Sequence, residues 1–330
     1  MVLKFTTNKN KLWATVNEAA FFIQKCFFAT LVLLSLVASP IAIATVAKDS
    51  IKVGNVWVNT KAKPSEIINY KIIGARELKL HIFHGVSSND NEHKPALIMF
   101  HGGGWNSGNP TSLYDQADYF SKIGITTISV EYRTWKKDQT PPNVSLMDAK
   151  SAYRWVLTNA KTLNIDPAKI AAGGVSAGGH LAASLATIKG FNAIGERPLP
   201  IQPVALVLFN PVVDTSSQGH GYNRVKEFWR AISPIHNVAQ GHPPTLTLLG
   251  SNDRVLSVAT ANKYRDNIVS VGSYAVNHIY PDKAHGFFTR TRSELLFVDT
   301  LLKAHDFLFK TGIAAAPSPA VRPTRPNINN

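Results

Sequence analysis

The chain has 330 residues, 45% of them apolar and 17% charged, enough for one large core or two smaller ones. Its single cysteine, Cys26, lies in an apolar N-terminal run, so a chain that loses this run has no disulfide, cysteine nucleophile or cysteine-based zinc site. The net charge of +14 divides into +3 over residues 1–47, +3 over residues 310–330 and +8 between. It forms no basic stripe interleaved with aromatics, which argues against a nucleic-acid partner.

In chain order, Lys25 precedes CFFATLVLLSLVASPIAIATVA, an apolar stretch interrupted by Pro40. A basic residue, an apolar region and the small-residue site Ala42-Ile43-Ala44 make a signal-peptide pattern over residues 1–44. The expectation is export to the periplasm or beyond, with an uncleaved N-terminal anchor as the alternative. Cys26 opens the apolar run rather than ending it, which argues against a lipid-modified cysteine. Unless that segment is retained, no stable membrane partner is expected.

Residues 50–312 read as one domain. ELKLHIF (77–83) alternates like a half-buried strand, and ALIMF, ending at Phe100, reads as a fully buried one. TTISVEY (126–132) is β-branched and strand-like. Ser145 followed by Asp148 has the spacing of a capping box opening the helix DAKSAYRWVLTNA. KIAAGG (169–174) is a short strand running into a helix after Gly178. VALVLF (204–209) and TLTLL (245–249) are further buried strands. A helix over 258–269, a strand YAVNHIY (274–280) and a helix near 293–309 follow. Strands alternating with helices predict an α/β fold whose mostly parallel sheet is covered on both faces. Residues 313–330, rich in Pro and without apolar period, read as a disordered tail.

Three features carry chemistry. Gly174-Val175-Ser176-Ala177-Gly178 fits G-x-S-x-G at a strand-to-helix junction, where glycines let the chain pass close to a strained serine. His101-Gly102-Gly103-Gly104-Trp105 follows a strand and exposes backbone N–H groups with no side chains in the way, suited to a developing oxyanion. A serine hydroxyl needs a base, itself oriented by a carboxylate. Asp253, just past TLTLL, and His285, in the loop after YAVNHIY, lie where parallel-sheet sites form. Rivals stand beside them: Asp214 also follows a strand, and Asp282 reads as a turn residue. His278 sits in a strand pattern, His180 one turn into the helix, and His101 reads as a brace for the glycine loop. No histidine–carboxylate spacing suggests a metal, and no cofactor is expected.

HGGGW (101–105), VEYR (130–133), DAKSAYRWV (148–156), GVSAGGHLA (174–182), GSNDRV (250–255) and HGFF (285–288) together resemble the α/β-hydrolase superfamily. The likeness is to its hormone-sensitive-lipase-like esterases and carbohydrate acetyl esterases. It implies Ser176 as nucleophile, His285 as base, Asp253 as its orienter, and an oxyanion hole from the N–H groups of Gly103, Gly104 and Ala177. Lipase-like members carry an N-terminal helical cap, whereas here that region is the export segment. The expected cap is therefore small or absent, and the site open. Leu249-Gly250 stands where the strand before the acid often ends in His-Gly. Trp105, Trp229 and Phe287 are expected to wall the substrate, with residues 210–244 as an insertion shaping the site. FWRAISPIHNV resembles a segment of secreted acetyl esterases acting on polysaccharides. A polysaccharide or small-molecule ester is therefore the expected substrate. A general short-chain carboxylesterase, a peptidase or amidase, and an inactive binding module are the alternatives.

Overall fold

The computed structural model describes residues 49–87 and 92–316. The export segment expected over 1–44, and the tail expected over 313–330 beyond its first four residues, lie outside the described residues.

The seven strands read from the sequence are present as β4 (Arg76–Phe83), β5 (Lys94–Phe100), β6 (Thr126–Val130), β7 (Ile165–Val175), β8 (Leu206–Phe209), β9 (Thr245–Gly250) and β10 (Ala275–Tyr280). Three more precede them: β1 (Ser50–Val53), β2 (Val56–Asn59) and β3 (Glu66–Ile73). The first two form a short antiparallel hairpin. β3 escapes a period-two reading because its pairing with β4 shifts register between Asn69 and Lys71, so its apolar residues change face midway.

The main sheet has the order β10-β9-β8-β7-β5-β6-β4-β3. From β10 to β6 every neighbouring pair is parallel, and β4 and β3 are added antiparallel at one edge. Seven helices occur among the described residues: α1 (Tyr114–Lys122), α2 (Trp135–Asp138), α3 (Pro142–Thr158), α4 (Ala177–Thr187), α5 (Tyr222–Val225), α6 (Val258–Ser270) and α7 (Glu294–Lys310). Alternation along the central strands divides the core in two. Ile98, Phe100, Leu206 and Leu208 join the side chains of α3, α4 and α6. Leu97, Met99, Val207 and Phe209 join those of α1 and α7. Both faces are thereby buried, which is why these strands read as continuous apolar runs.

α3 corrects the expected capping box. The helix begins four residues earlier, because Pro142 supplies the right φ at a position whose missing N–H costs nothing. Ser145 lies inside the helix and donates from Oγ to the Arg133 carbonyl. Asp148 is fully buried and accepts from Arg133 through both oxygens and from Lys71 Nζ at 2.9 Å, so it is an ion-cluster residue rather than a cap. Ordinary serine caps open α6 and α7, where Ser257 and Ser293 accept from Thr260 N–H and Leu296 N–H.

Candidate active site

Five loops leave the carboxyl edge of the parallel strands and supply the site, as open α/β sheets require. They follow β5 with the glycine loop, β7 with Ser176, β8 with Asn210, β9 with Asp253 and β10 with His285.

Ser176 has φ 55° and ψ −117°, a backbone state costing an L-residue about 1–3 kcal/mol. Its surroundings hold it there. Its N–H donates to the Phe209 carbonyl at 3.0 Å, and its carbonyl accepts from His180 and Val212. The following helix passes so close to β5 that a Cβ on Gly178 would overlap the Phe100 carbonyl. In the loop after β5, Gly103 has φ 119°, and a Cβ there would overlap the Ser107 carbonyl. Among the described residues the N–H groups of Gly103, Gly104 and Ala177 have no acceptor. The N-terminal end of α4, with its partial positive charge, starts at Ala177.

His285 Nε2 lies 2.9 Å from Ser176 Oγ, and Nδ1 lies 2.8 Å from Asp253 Oδ2. Because a carboxylate only accepts, Nδ1–H is the donor to Asp253 and Nε2 is left to accept the serine proton. The Asp253 side chain is fully buried, and its other oxygen accepts from Val255 and Leu256 N–H. Gly250 allows this approach of loops: a Cβ there would overlap the Lys283 carbonyl. The rivals sit elsewhere. Asp214 caps Ser216 N–H and stands 3.9 Å from His236. Asp282, at φ 57°, is an exposed turn residue.

Two other histidines brace the site. His101 stacks on Tyr132 at 4.1 Å and contacts the Gly102 carbonyl through Nδ1. His180 donates from Nε2 to the Ile232 carbonyl at 2.7 Å. Burial pulls the pKa of each down to about 4. Both are therefore neutral at ordinary pH, in keeping with a supporting role.

Two of the three expected aromatic walls, Trp105 and Phe287, are corrected. Trp105 and Phe287 are 0% and 5% exposed, so neither offers a ring face to solvent. Trp105 packs edge-on to His180, and Phe287 packs on Tyr280 and Phe288. Trp229 is half-buried, edge-on to His236 within the insertion. Around the relay stand residues that the sequence did not single out. Asn210, fully buried after β8, sets its side-chain nitrogen 2.9 and 2.8 Å from the two ring nitrogens of His285, which places the amide on the flat face of the ring. The strand-end rule, applied to VALVLF, would have flagged it. His220 and Arg224 come from residues 210–244, where nothing in the local pattern marks them. Among the described residues no group of three or more His, Cys, Asp or Glu could hold a metal ion.

Residues 82–218 match the BD-FAE family. An acetylxylan esterase of Xylanibacter ruminicola is 27% identical over 218 residues, 60% of this chain and 42% of that protein. Carboxylesterase NlhH of Mycobacterium tuberculosis is 34% identical over 113 residues, 34% of each. The match thus spans less than half the length of these curated relatives. Among solved structures, the apo form of Thermogutta terrifontis esterase 2 is 32% identical, with a TM-score of 0.72 over 76% of this chain and 96% of that one. The same esterase has been solved with propionate and with butyrate bound.

Proposed function

Since the chain belongs to the α/β-hydrolase esterases, we propose that it is a serine carboxylic ester hydrolase that removes acetyl groups from a polysaccharide or oligosaccharide. The observation that carries the ester-hydrolase part of this reading is the relay from Ser176 Oγ through the His285 ring to the buried Asp253, set beside backbone N–H groups that have no other acceptor.

Each part then has one task. Ser176 Oγ attacks the ester carbonyl while His285 Nε2 takes its proton, and Asp253 steadies the imidazolium. The carbonyl oxygen becomes negative and accepts from Gly103, Gly104 and Ala177 N–H, each such donor being worth about 3–4 kcal/mol. His285 returns the proton to the departing alcohol, leaving an acetyl-serine. Water then attacks that acyl group as His285 takes its proton, and acetate leaves with Ser176 restored.

The likeness to an acetylxylan esterase supports an acetyl group on a sugar polymer. The propionate and butyrate complexes of the Thermogutta esterase support a second reading, a general esterase for short acyl chains. The signal-peptide pattern over residues 1–44 supports export, where polymers are met.

The test is a series of aryl esters from acetyl to dodecanoyl, followed by acetylated xylan. The expected result is a steep fall in kcat/KM beyond acetyl together with acetate release from the polymer. A maximum at butyryl without polymer activity would favour the general esterase. A maximum at hexanoyl or longer would overturn both.

A further inference from the structure

The field around the relay has a sign. Arg224, on the short helix α5, lays its guanidinium 5.2 Å over the Trp105 ring. Its Nη2 stands 3.7 Å from the place a Cβ on Gly104 would occupy, directly beside the loop assigned to the oxyanion. Stacking uses the flat face of a guanidinium and leaves its N–H edge free. No carboxylate takes that edge among the described residues, whereas Arg76, Arg133, Arg154, Arg265 and Arg290 each have one.

Burial lowers the Arg224 pKa with nothing to raise it back, while carboxylates raise those of Arg76 and Arg133. Arg224 is nonetheless exposed, so water screens its charge, and a carboxylate that pairs with it gains a modest charge-assisted bond. His220 links this group to the chemistry: its half-buried ring lies 6.3 Å from that of Trp105. Burial, and after it the Arg224 charge, push the His220 pKa down, against a smaller pull upward from Asp253. At the other loop, exposed Arg292 donates from Nη1 to the His285 carbonyl and also has no carboxylate partner among the described residues. A basic chain adds long-range attraction for anions.

We propose that the site selects esters of acidic alcohols, such as saccharides that carry a carboxylate near the acetylated hydroxyl, with Arg224 binding the carboxylate and Arg292 strengthening the field. An acetyl group has no charge, so the anion belongs to the alcohol half. The inference rests on the esterase reading and narrows its substrate class.

The test compares 4-acetoxybenzoate with the neutral 4-acetoxybenzamide, using the full chain. The wild-type ratio of kcat/KM, anion over amide, is expected to exceed that of Arg224→Gln by about five- to ten-fold, as for one partly exposed charge-assisted pair. The change should appear in KM for the benzoate. Arg224→Lys should recover part of the ratio, and 0.5 M salt should compress it in the wild type. An equal ratio in wild type and Arg224→Gln, both folded by circular dichroism, overturns the proposal while leaving the esterase standing. Loss of the preference on moving the charge to the acyl half, with 4-nitrophenyl hemisuccinate against the butyrate, supports the alcohol-side assignment. An Arg224-dependent preference only for the hemisuccinate overturns it. Failure of the folded wild type to hydrolyse either acetate would instead remove the esterase reading itself.

Discussion

The turn carrying Ser176 and the segment between β8 and β9 both border the site, yet they are built in opposite ways. At the turn the backbone itself is the constraint: Gly178 and Gly103 sit where any Cβ would strike the carbonyl of Phe100 or Ser107, and Ser176 is held at positive φ. The segment from Pro211 to Pro244 contains only α5 and two 3₁₀ turns, over Trp229–Ile232 and Pro234–His236. Side chains tie it down. His180 holds the Ile232 carbonyl, Thr215 that of Trp229, and Asn267 that of Ile235. A backbone lock fixes where charge develops and tolerates almost no substitution. Side-chain tethers hold the segment that carries Arg224, whose guanidinium lies over the Trp105 ring.

This contrast can be broken most severely at the nucleophile. Ser176→Ala should lower kcat by at least about 10⁴-fold with the unfolding transition unchanged, since nothing else in the relay can attack. Substantial residual turnover on aryl acetate would remove Ser176 from the mechanism. Gly103→Ala comes next. Its φ of 119° and the overlap with the Ser107 carbonyl force the loop to move, and kcat should fall about 10²–10³-fold as an oxyanion donor is displaced. A loss of under two-fold would mean that the loop is not locked as described.

Acid stability tests the buried histidines that brace the site. His101 and His180 keep pKa values near 4 in the folded chain, below the usual 6.5, so unfolding takes up a proton at each between those values. Their contribution is complete above about pH 6.5 and is lost as pH falls toward 4, by up to about 1.4 kcal/mol per pH unit for each histidine. Urea midpoints measured between pH 7 and pH 5 should fall accordingly. His180→Gln, whose amide can still donate to the Ile232 carbonyl, should flatten the dependence. A slope identical to wild type would show that His180 is not the group taking up a proton.

Much of the relay was legible beforehand because its rules are local or topological. A strained serine between glycines announces itself within five residues, and Asp253 and His285 follow strands whose apolar runs are visible in the sequence. Side-chain fates were less legible. Ser145 and Asp148 have capping-box spacing, yet Pro142 starts the helix earlier, and Asp148 is claimed by Lys71 from another strand. Trp105 looked like a wall because its loop borders the site, but packing against His180 and Arg224 buries it.

The amino-acid order by itself determined the alternation of strands and helices and the glycine-flanked elbow, because apolar period and glycine sterics act along a few neighbouring residues, and it offered Asp253 and His285 beside rivals. Only the tertiary structure decided that Asn210 covers the His285 ring, that Trp105 is sealed from solvent and that Arg224 stands uncompensated beside Gly104. Those contacts join residues about 75 to 120 positions apart, and packing of separate loops at one sheet edge creates them.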